Sequence, residues 1–262
     1  NVYWPVLSYT HTQSFHNGTN DWVEERMTSY DDKLRIVKDS VLMRNTGYSI
    51  HHKYASDVIP YMQNRNMISQ LSETFMTKNG MVVKGKKIDY DFVYTSNDSI
   101  ILPHRESLLE TDNPLTLANY SQAFNVKVAR SEYTAHGNPM QISTDAGHTV
   151  YLWGYKDTYP VAEIKNATFD VIKNLLGESF IRPLCNAAEP PIYHLQQLGK
   201  ISNLLPDTQV KIFTYDPLKG LQSTIAPNKY AESYDYDNSG RLIRSKENGR
   251  TVSEYEYNYR KQ

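Results

Sequence analysis

The chain has 262 residues and a net charge of −1, and 39% of it is hydrophobic; with a mean hydropathy of −0.61 it suits a sheet with one wet face, built as one large β unit or two smaller domains. The scattered Lys and Arg exclude a clustered basic footprint, and with it nucleic acid as a partner. No apolar run approaches the ~20 residues of a membrane span, and a single cysteine, Cys185, excludes an intrachain disulfide.

Residues 2–55 read as four strands, "VYWPVLSYTHTQSF", "DWVEERMTSYD", "KLRIVKDSVLMR" and "YSIHHKYA", with Asn17-Gly18 as a hairpin turn. Residues 56–67 break the alternation. Ser56 or Asp57 is placed to cap a short helical turn whose length Pro60 limits. Strands resume with "ISQLSETFMTK", the turn Asn79-Gly80, "MVVKGKKIDYDFVYT", "SIILPHRESLLE" and "FNVKVARSEYT".

The period turns helical in "YPVAEIKNATFDVIKNLLGESF", residues 159–180. There Ile164, Phe169, Ile172, Leu175 and Leu176 approximate a stripe, Thr168 offers an N-cap and Gly177 a stop. A second helix is expected over "PPIYHLQQLGKISNLLPD", with Ile192, Leu195, Leu198 and Ile201 three apart. The expected organisation is therefore a hairpin sheet over 1–160, a two-helix insertion over 161–206, and C-terminal hairpins over 207–262.

An internal repeat underlies the hairpins. In "YTAHGNPMQISTDAGHTVYLWGY" (133–155) and "YDYDNSGRLIRSKENGRTVSEYEYNY" (234–259), Tyr133 and Tyr236 each precede a glycine, Gly137 and Gly240, by four residues. A second glycine follows, Gly147 or Gly249, and then alternating aromatics: Tyr151, Trp153 and Tyr155, or Tyr255, Tyr257 and Tyr259. A looser copy runs from Tyr215 to Tyr236. Gly137 and Gly240 suit turn positions of positive φ, and the alternation places each tyrosine set on one strand face. Tyrosine, at 21 copies against 7 Phe, fits strands that pack the ring while the hydroxyl reaches a partner.

These residues resemble a known family. "YDYDNSGRL" is similar to the YD repeat of the RHS family, and "VYLWGYKDTYPVAEIKNATFDVI" and "TYDPLKGLQSTIAPN" resemble RHS-repeat proteins of Bacteroidetes, which are large exported or surface chains. The resemblance is strongest over about 131–262. The family's repeats build long twisted sheets of consecutive hairpins that spiral into hollow shells. The resemblance implies a mainly β fold and an extracellular or bacterial cell-surface location, but no activity. No signal peptide opens the sequence, so the chain is expected to be a piece of a longer exported protein, whose remainder is its first partner.

No constellation for catalysis emerges. His51 and His52 are strand neighbours facing opposite ways, and His11 and His16 are five apart, so neither pair reads as a metal site. Acids such as Asp89 with Asp91 and Glu254 with Glu256 occupy outward positions or turns, as on a solvated sheet face. Cys185 reads as a buried, inert thiol. "DPLKGL" (216–221) resembles the Asp-Pro-x-Gly-Leu end of RHS shells in toxin-bearing relatives, but one extra residue precedes Gly220 and Asp216-Pro217 reads as turn chemistry. The expectation is a non-catalytic scaffold segment without metal or cofactor. The alternative is a module that binds a surface glycan or a protein through exposed aromatics, for which Trp4, Trp22 and Trp153 are the stacking candidates.

Overall fold

Alternating side chains and glycine or Asn-Gly turns should give hairpins, and hairpins fill the computed structural model, which describes residues 8–16, 19–43, 45–94 and 98–257. Among them, sixteen strands form one antiparallel sheet whose hydrogen-bonded order is the chain order throughout. The chain divides into two units, residues 1–92 with 101–129 and residues 93–100 with 130–262.

The first unit carries β1 (Tyr9–His16), β2 (Thr19–Tyr30), β3 (Ile36–Met43), β4 (Thr46–Tyr54) and β5 (Leu71–Lys78), most of β6 (Met81–Tyr94) and β7 (Ser99–Leu115), and the start of β8 (Asn125–Tyr133). The β5–β6 turn has Asn79 at φ 50° and Gly80 at φ 80°, the two left-handed residues of a tight hairpin turn. Between β4 and β5 lies α1 (Pro60–Asn64). Pro60 starts this helix rather than limiting it, since its missing N–H costs nothing at the first helical position. Ile59 is the N-cap, and Ser56 and Asp57 are engaged elsewhere. Two small cores result: Phe75, Val82, Leu109 and Tyr120 in one, and Ala55, Met62 and Ile101 in the other.

The second unit carries β9 (Pro139–Thr144), β10 (Gly147–Gly154), β11 (Tyr159–Lys165), β12 (Gln209–Asp216), β13 (Gly220–Ile225), β14 (Ala231–Tyr236), β15 (Leu242–Glu247) and β16 (Arg250–Glu254). The two expected helices are four short ones: α2 (Phe169–Leu176), α3 (Glu178–Asn186), α4 (Ile192–Leu198) and α5 (Ile201–Leu204). Residues 159–165 are strand, because β11 pairs with both β10 and β12 and buries Val161, Ala162 and Ile164 completely. Helix begins only at Phe169, where the Thr168 hydroxyl accepts the Val171 N–H at 3.5 Å. Gly177, at φ 78°, ends α2 and opens α3.

These helices cover the strands beside them. Val150, Leu152, Ile164, Val210 and Ile212 from the sheet meet Ile172, Leu184, Leu198 and Ile201 from the helices in the largest core of this unit. Burying each such side chain contributes about 1.5–3 kcal/mol. Gly154 sets the closeness of approach, since a Cβ there would lie 2.8 Å from Val161 Cγ1 and 3.0 Å from Pro190 Cγ. By contrast, no residue of β14, β15 or β16 is fully buried. The terminal strand ends at Glu254, so Tyr255 and Tyr257 lie past it instead of alternating along it, and Tyr259 lies outside the described residues.

Candidate functional site: turns locked by aromatic latches

The Tyr-Asp, Gly-Arg-Leu string folds into a self-bonded turn. The Asp237 N–H donates to the Arg241 carbonyl at 2.9 Å, and Gly240 N–H donates to the Asp237 carbonyl at 3.1 Å. Asp237 Oδ1 accepts the N–H groups of Ser239 (2.8 Å) and Arg241 (3.0 Å), while Oδ2 accepts Arg241 Nε at 2.7 Å. Gly240 sits at φ 75°, as its position in the string predicts. Backbone and guanidinium bonds from Arg241 hold the Asp237 carboxyl below the ordinary carboxylate range.

A second copy of this turn stands at residues 31–35, where the sequence offers no glycine. Asp31 N–H donates to the Arg35 carbonyl at 3.0 Å, and Leu34 N–H to the Asp31 carbonyl at 3.1 Å. Asp31 Oδ1 accepts the N–H groups of Lys33 and Arg35, both at 2.9 Å, and Oδ2 accepts Arg35 Nε at 2.7 Å. Leu34 takes the glycine's place at φ 60°. Thr134–Asn138 is a weaker version, in which the Thr134 hydroxyl replaces the aspartate and accepts the Asn138 N–H at 3.1 Å. Asp216 accepts the Leu218 N–H at 3.0 Å, so Asp216-Pro217 does serve a turn.

Each turn is closed from outside by an aromatic tip. Tyr54 donates to the Ile36 carbonyl (2.9 Å), Trp153 Nε1 to Pro139 (3.0 Å), Tyr236 to Leu221 (2.7 Å) and Tyr257 to Leu242 (2.9 Å). The donors follow their acceptors by 18, 14, 15 and 15 residues, one hairpin further on. The arginine of the turn lies over the latch ring in two copies: Arg35 on Tyr54 at 4.1 Å and Arg241 on Tyr257 at 4.6 Å. The strands kink where they deliver these rings, with register shifts at Lys53/Tyr54, Leu152/Trp153 and Asp235/Tyr236.

Trp153 is thus half-buried, with its ring nitrogen engaged and its ring packed on the core of its unit. Trp4 lies outside the described residues, as does the side chain of Trp22, which stands on β2 opposite Ser14. His51 stacks on Phe75 with centroids 4.6 Å apart, and His52 Nδ1 lies 3.2 Å from Thr74 Oγ1. The break between strands at "DDK", residues 31–33, is visible in the sequence, but its kinship with the glycine-bearing repeat turn is hidden because no glycine marks it. The signal was there in "YDDKLRI", which keeps the tyrosine, the aspartate and the arginine of "YDNSGRL" at the same spacing.

One further cluster brings reactive groups together. Tyr155, Lys156 and Asp157 form a left-handed run, at φ 54°, 55° and 67°. The N–H groups of Lys156 and Asp157 donate to the carbonyls of Ala187 (2.8 Å) and Cys185 (3.0 Å), which meets the unpaired acceptors at the end of α3. His136 Nδ1 lies 3.0 Å from Asp157 Oδ2. Burial, and then the nearby Asp157, push the Cys185 thiol up to about 11, the opposite of what a nucleophile needs. The cluster ties α3 to the sheet.

No family model matches the chain, and no curated protein does. Solved structures that match include TcdB2–TccC3 without its hypervariable C-terminal region, at 12% identity and TM-score 0.35, covering 87% of this chain and 12% of that one. TcdB2–TccC3–Cdc42 matches at 11% and 0.35 over 90% and 14% of the two chains. The Photorhabdus luminescens Tc holotoxin pore matches at 11% and 0.33 over 84% and 11%. This chain spans about an eighth of those chains, and the likeness is too loose to align individual residues.

Proposed function

We propose that this chain is a non-catalytic structural segment of a longer RHS-like protein, exported to the bacterial surface or secreted, in which serial hairpins build a wall. The observation that carries this reading is the recurrence of one turn-and-latch unit, with the Tyr, Asp and Arg side chains that a site would use committed to holding hairpins shut. Each latch ring reaches back to the turn of the neighbouring hairpin, the nearest-neighbour contact on which repeat scaffolds are built. Of the three tryptophans of the glycan- or protein-binding alternative, the one whose side chain is described serves as a latch, so the scaffold reading is preferred.

The test has two arms. Purified protein incubated with generic glycosides, esters and peptides is expected to yield no product, and its own mass is expected to stay constant on storage. Turnover abolished by a single acid-to-amide substitution, or a break near residues 216–221 abolished by Asp216→Asn, would replace the scaffold reading with an enzyme. Location is tested by fractionating the source cells and exposing intact cells to protease; protein protected inside the cell would remove the surface assignment.

A further inference from the structure

Within the second unit a groove with a volume of about 450 Å³ runs between α4–α5 and strands β12 and β13. Ile192, Leu195, Val210, Ile212, Ile225 and Pro227 make its walls. Ile192 and Ile225 remain 70% and 40% exposed, so the helices stop short of covering the strands here. On the strand side of the groove the hydroxyls of Thr214 and Ser223 bond to each other at 2.6 Å, while Gln196, Ser202 and Asn203 line its helix side as neutral polar groups. Among the described residues no aromatic ring lines the groove, so they offer no platform for stacking a sugar. One cation stands on it: Lys229, held in the 226–230 turn at φ 65° with its N–H on the Ala226 carbonyl at 2.8 Å. Its ammonium has no ion-pair partner among the described residues.

We propose that this groove binds an amphipathic carboxylate of the straight-chain fatty acid type, with the head group on Lys229 and the chain along the walls of Ile192, Leu195 and Ile225. The volume lies within the range of small-ligand sites, whose pattern is an apolar lining with a few placed polar groups. Charge complementarity selects the head group, because Lys229 is the one charged side chain lining the groove among the described residues and favours an anion over an alcohol of the same length.

The experiment is calorimetric titration of the whole chain with decanoate and, in parallel, with decanol. Decanoate is expected to bind saturably, one per chain. Lys229→Gln should weaken decanoate about threefold to fivefold, as for an exposed ion pair, and leave decanol unchanged. Ile192→Asp, at an exposed position of α4, should weaken both by about tenfold or more. Circular dichroism checks that each variant is folded, and Ile225→Thr replaces Ile192→Asp if the latter unfolds. The proposal fails if decanoate shows no saturable uptake, if Lys229→Gln weakens both probes alike, or if the wall variants change neither. It also fails if sedimentation shows a dimer closed over the groove that decanoate does not displace.

Discussion

The turns at 31–35 and 237–241 carry the same hydrogen bonds, yet their arginines live in different surroundings. The Arg35 side chain is 8% exposed and that of Arg241 33%. Beyond Asp31, Arg35 donates to Ser56 Oγ (2.9 Å), to the Ile68 carbonyl (2.7 Å) and to both oxygens of Asp57 (2.7 and 2.9 Å). One guanidinium therefore fastens a turn, a 3-10 segment and the loop leading into β5. The comparison teaches that the turn is specified locally, by aspartate and arginine, while its stabilising weight is set by what packs around the arginine.

Removing the buried arginine should have the largest effect. Arg35→Ala leaves Asp31 without its cation and Asp57 with Lys33 alone, 3.2 Å away, and is expected to cost about 3 kcal/mol in urea denaturation, the low end for breaking a buried pair. Arg241→Ala should lose less, because at a half-buried site water can replace part of the lost interaction. Equal losses would mean that burial does not govern the difference between the two turns.

Acid sharpens the same contrast. Burial pushes the Asp31 and Asp57 carboxyls up, but bonds from Arg35 and Lys33 outweigh it and hold both below their ordinary range. A carboxyl lowered in the folded state contributes stability that is complete above its unfolded value, near 3.8 here, and is lost as pH falls through the folded value. Denaturation midpoints of the parent should therefore fall steeply below about pH 4. In Arg35→Met, which removes the cation that lowers both carboxyls, the midpoint should depend less on pH over that range. Parallel curves for the two proteins would show that this cluster does not control acid stability.

The hairpin order was legible because period-two alternation and Asn-Gly or Gly turns act through local sterics, as at Asn79-Gly80 and Gly240. The strand at 159–165 was not. Val161, Ala162 and Ile164 are buried in a strand paired on both edges, and a short apolar run of that kind cannot be told from a helix by period. The latches were half legible. Trp153 and Tyr257 stood out as part of the repeat, but their bonds to Pro139 and Leu242 depend on where a bulge aims a ring, and no spacing rule gives that. The break at residues 31–33 was legible, but Leu34 concealed that it is a copy of the repeat turn, since a bulky residue at positive φ is what sequence reasoning discounts.

That substitution invites a swap of intermediate size. Leu34→Gly relieves a left-handed leucine that is 55% exposed and has little packing to lose, and should stabilise the first unit by about 0.5–1 kcal/mol. Gly240→Leu imposes the same strain on the other copy and should cost about 1–2 kcal/mol. If both changes are neutral, the side-chain bonds of the aspartate and arginine, rather than the φ preference of one residue, decide the turn.

The smallest expected effect, that of Tyr257→Phe, comes from comparing the latches themselves. Tyr54 is buried and Tyr257 is 44% exposed, yet each donates one hydrogen bond of 2.9 Å to the carbonyl of the first residue after its turn. Tyr54→Phe keeps the ring under Arg35 and removes only the hydroxyl, so the Ile36 carbonyl loses a donor whose bond is part-buried, whereas the Tyr257 bond is exposed. The cost should be about 1–2 kcal/mol. Tyr257→Phe exposes the Leu242 carbonyl to water, which replaces the lost donor, and the cost should stay near ~0.5 kcal/mol or below. The rings remain in both variants, so the difference isolates the hydrogen bond from the cation–π contact. A Tyr257→Phe loss as large as that of Tyr54→Phe would mean that the hydroxyl closes the turn by its geometry alone, and that burial adds nothing to the latch.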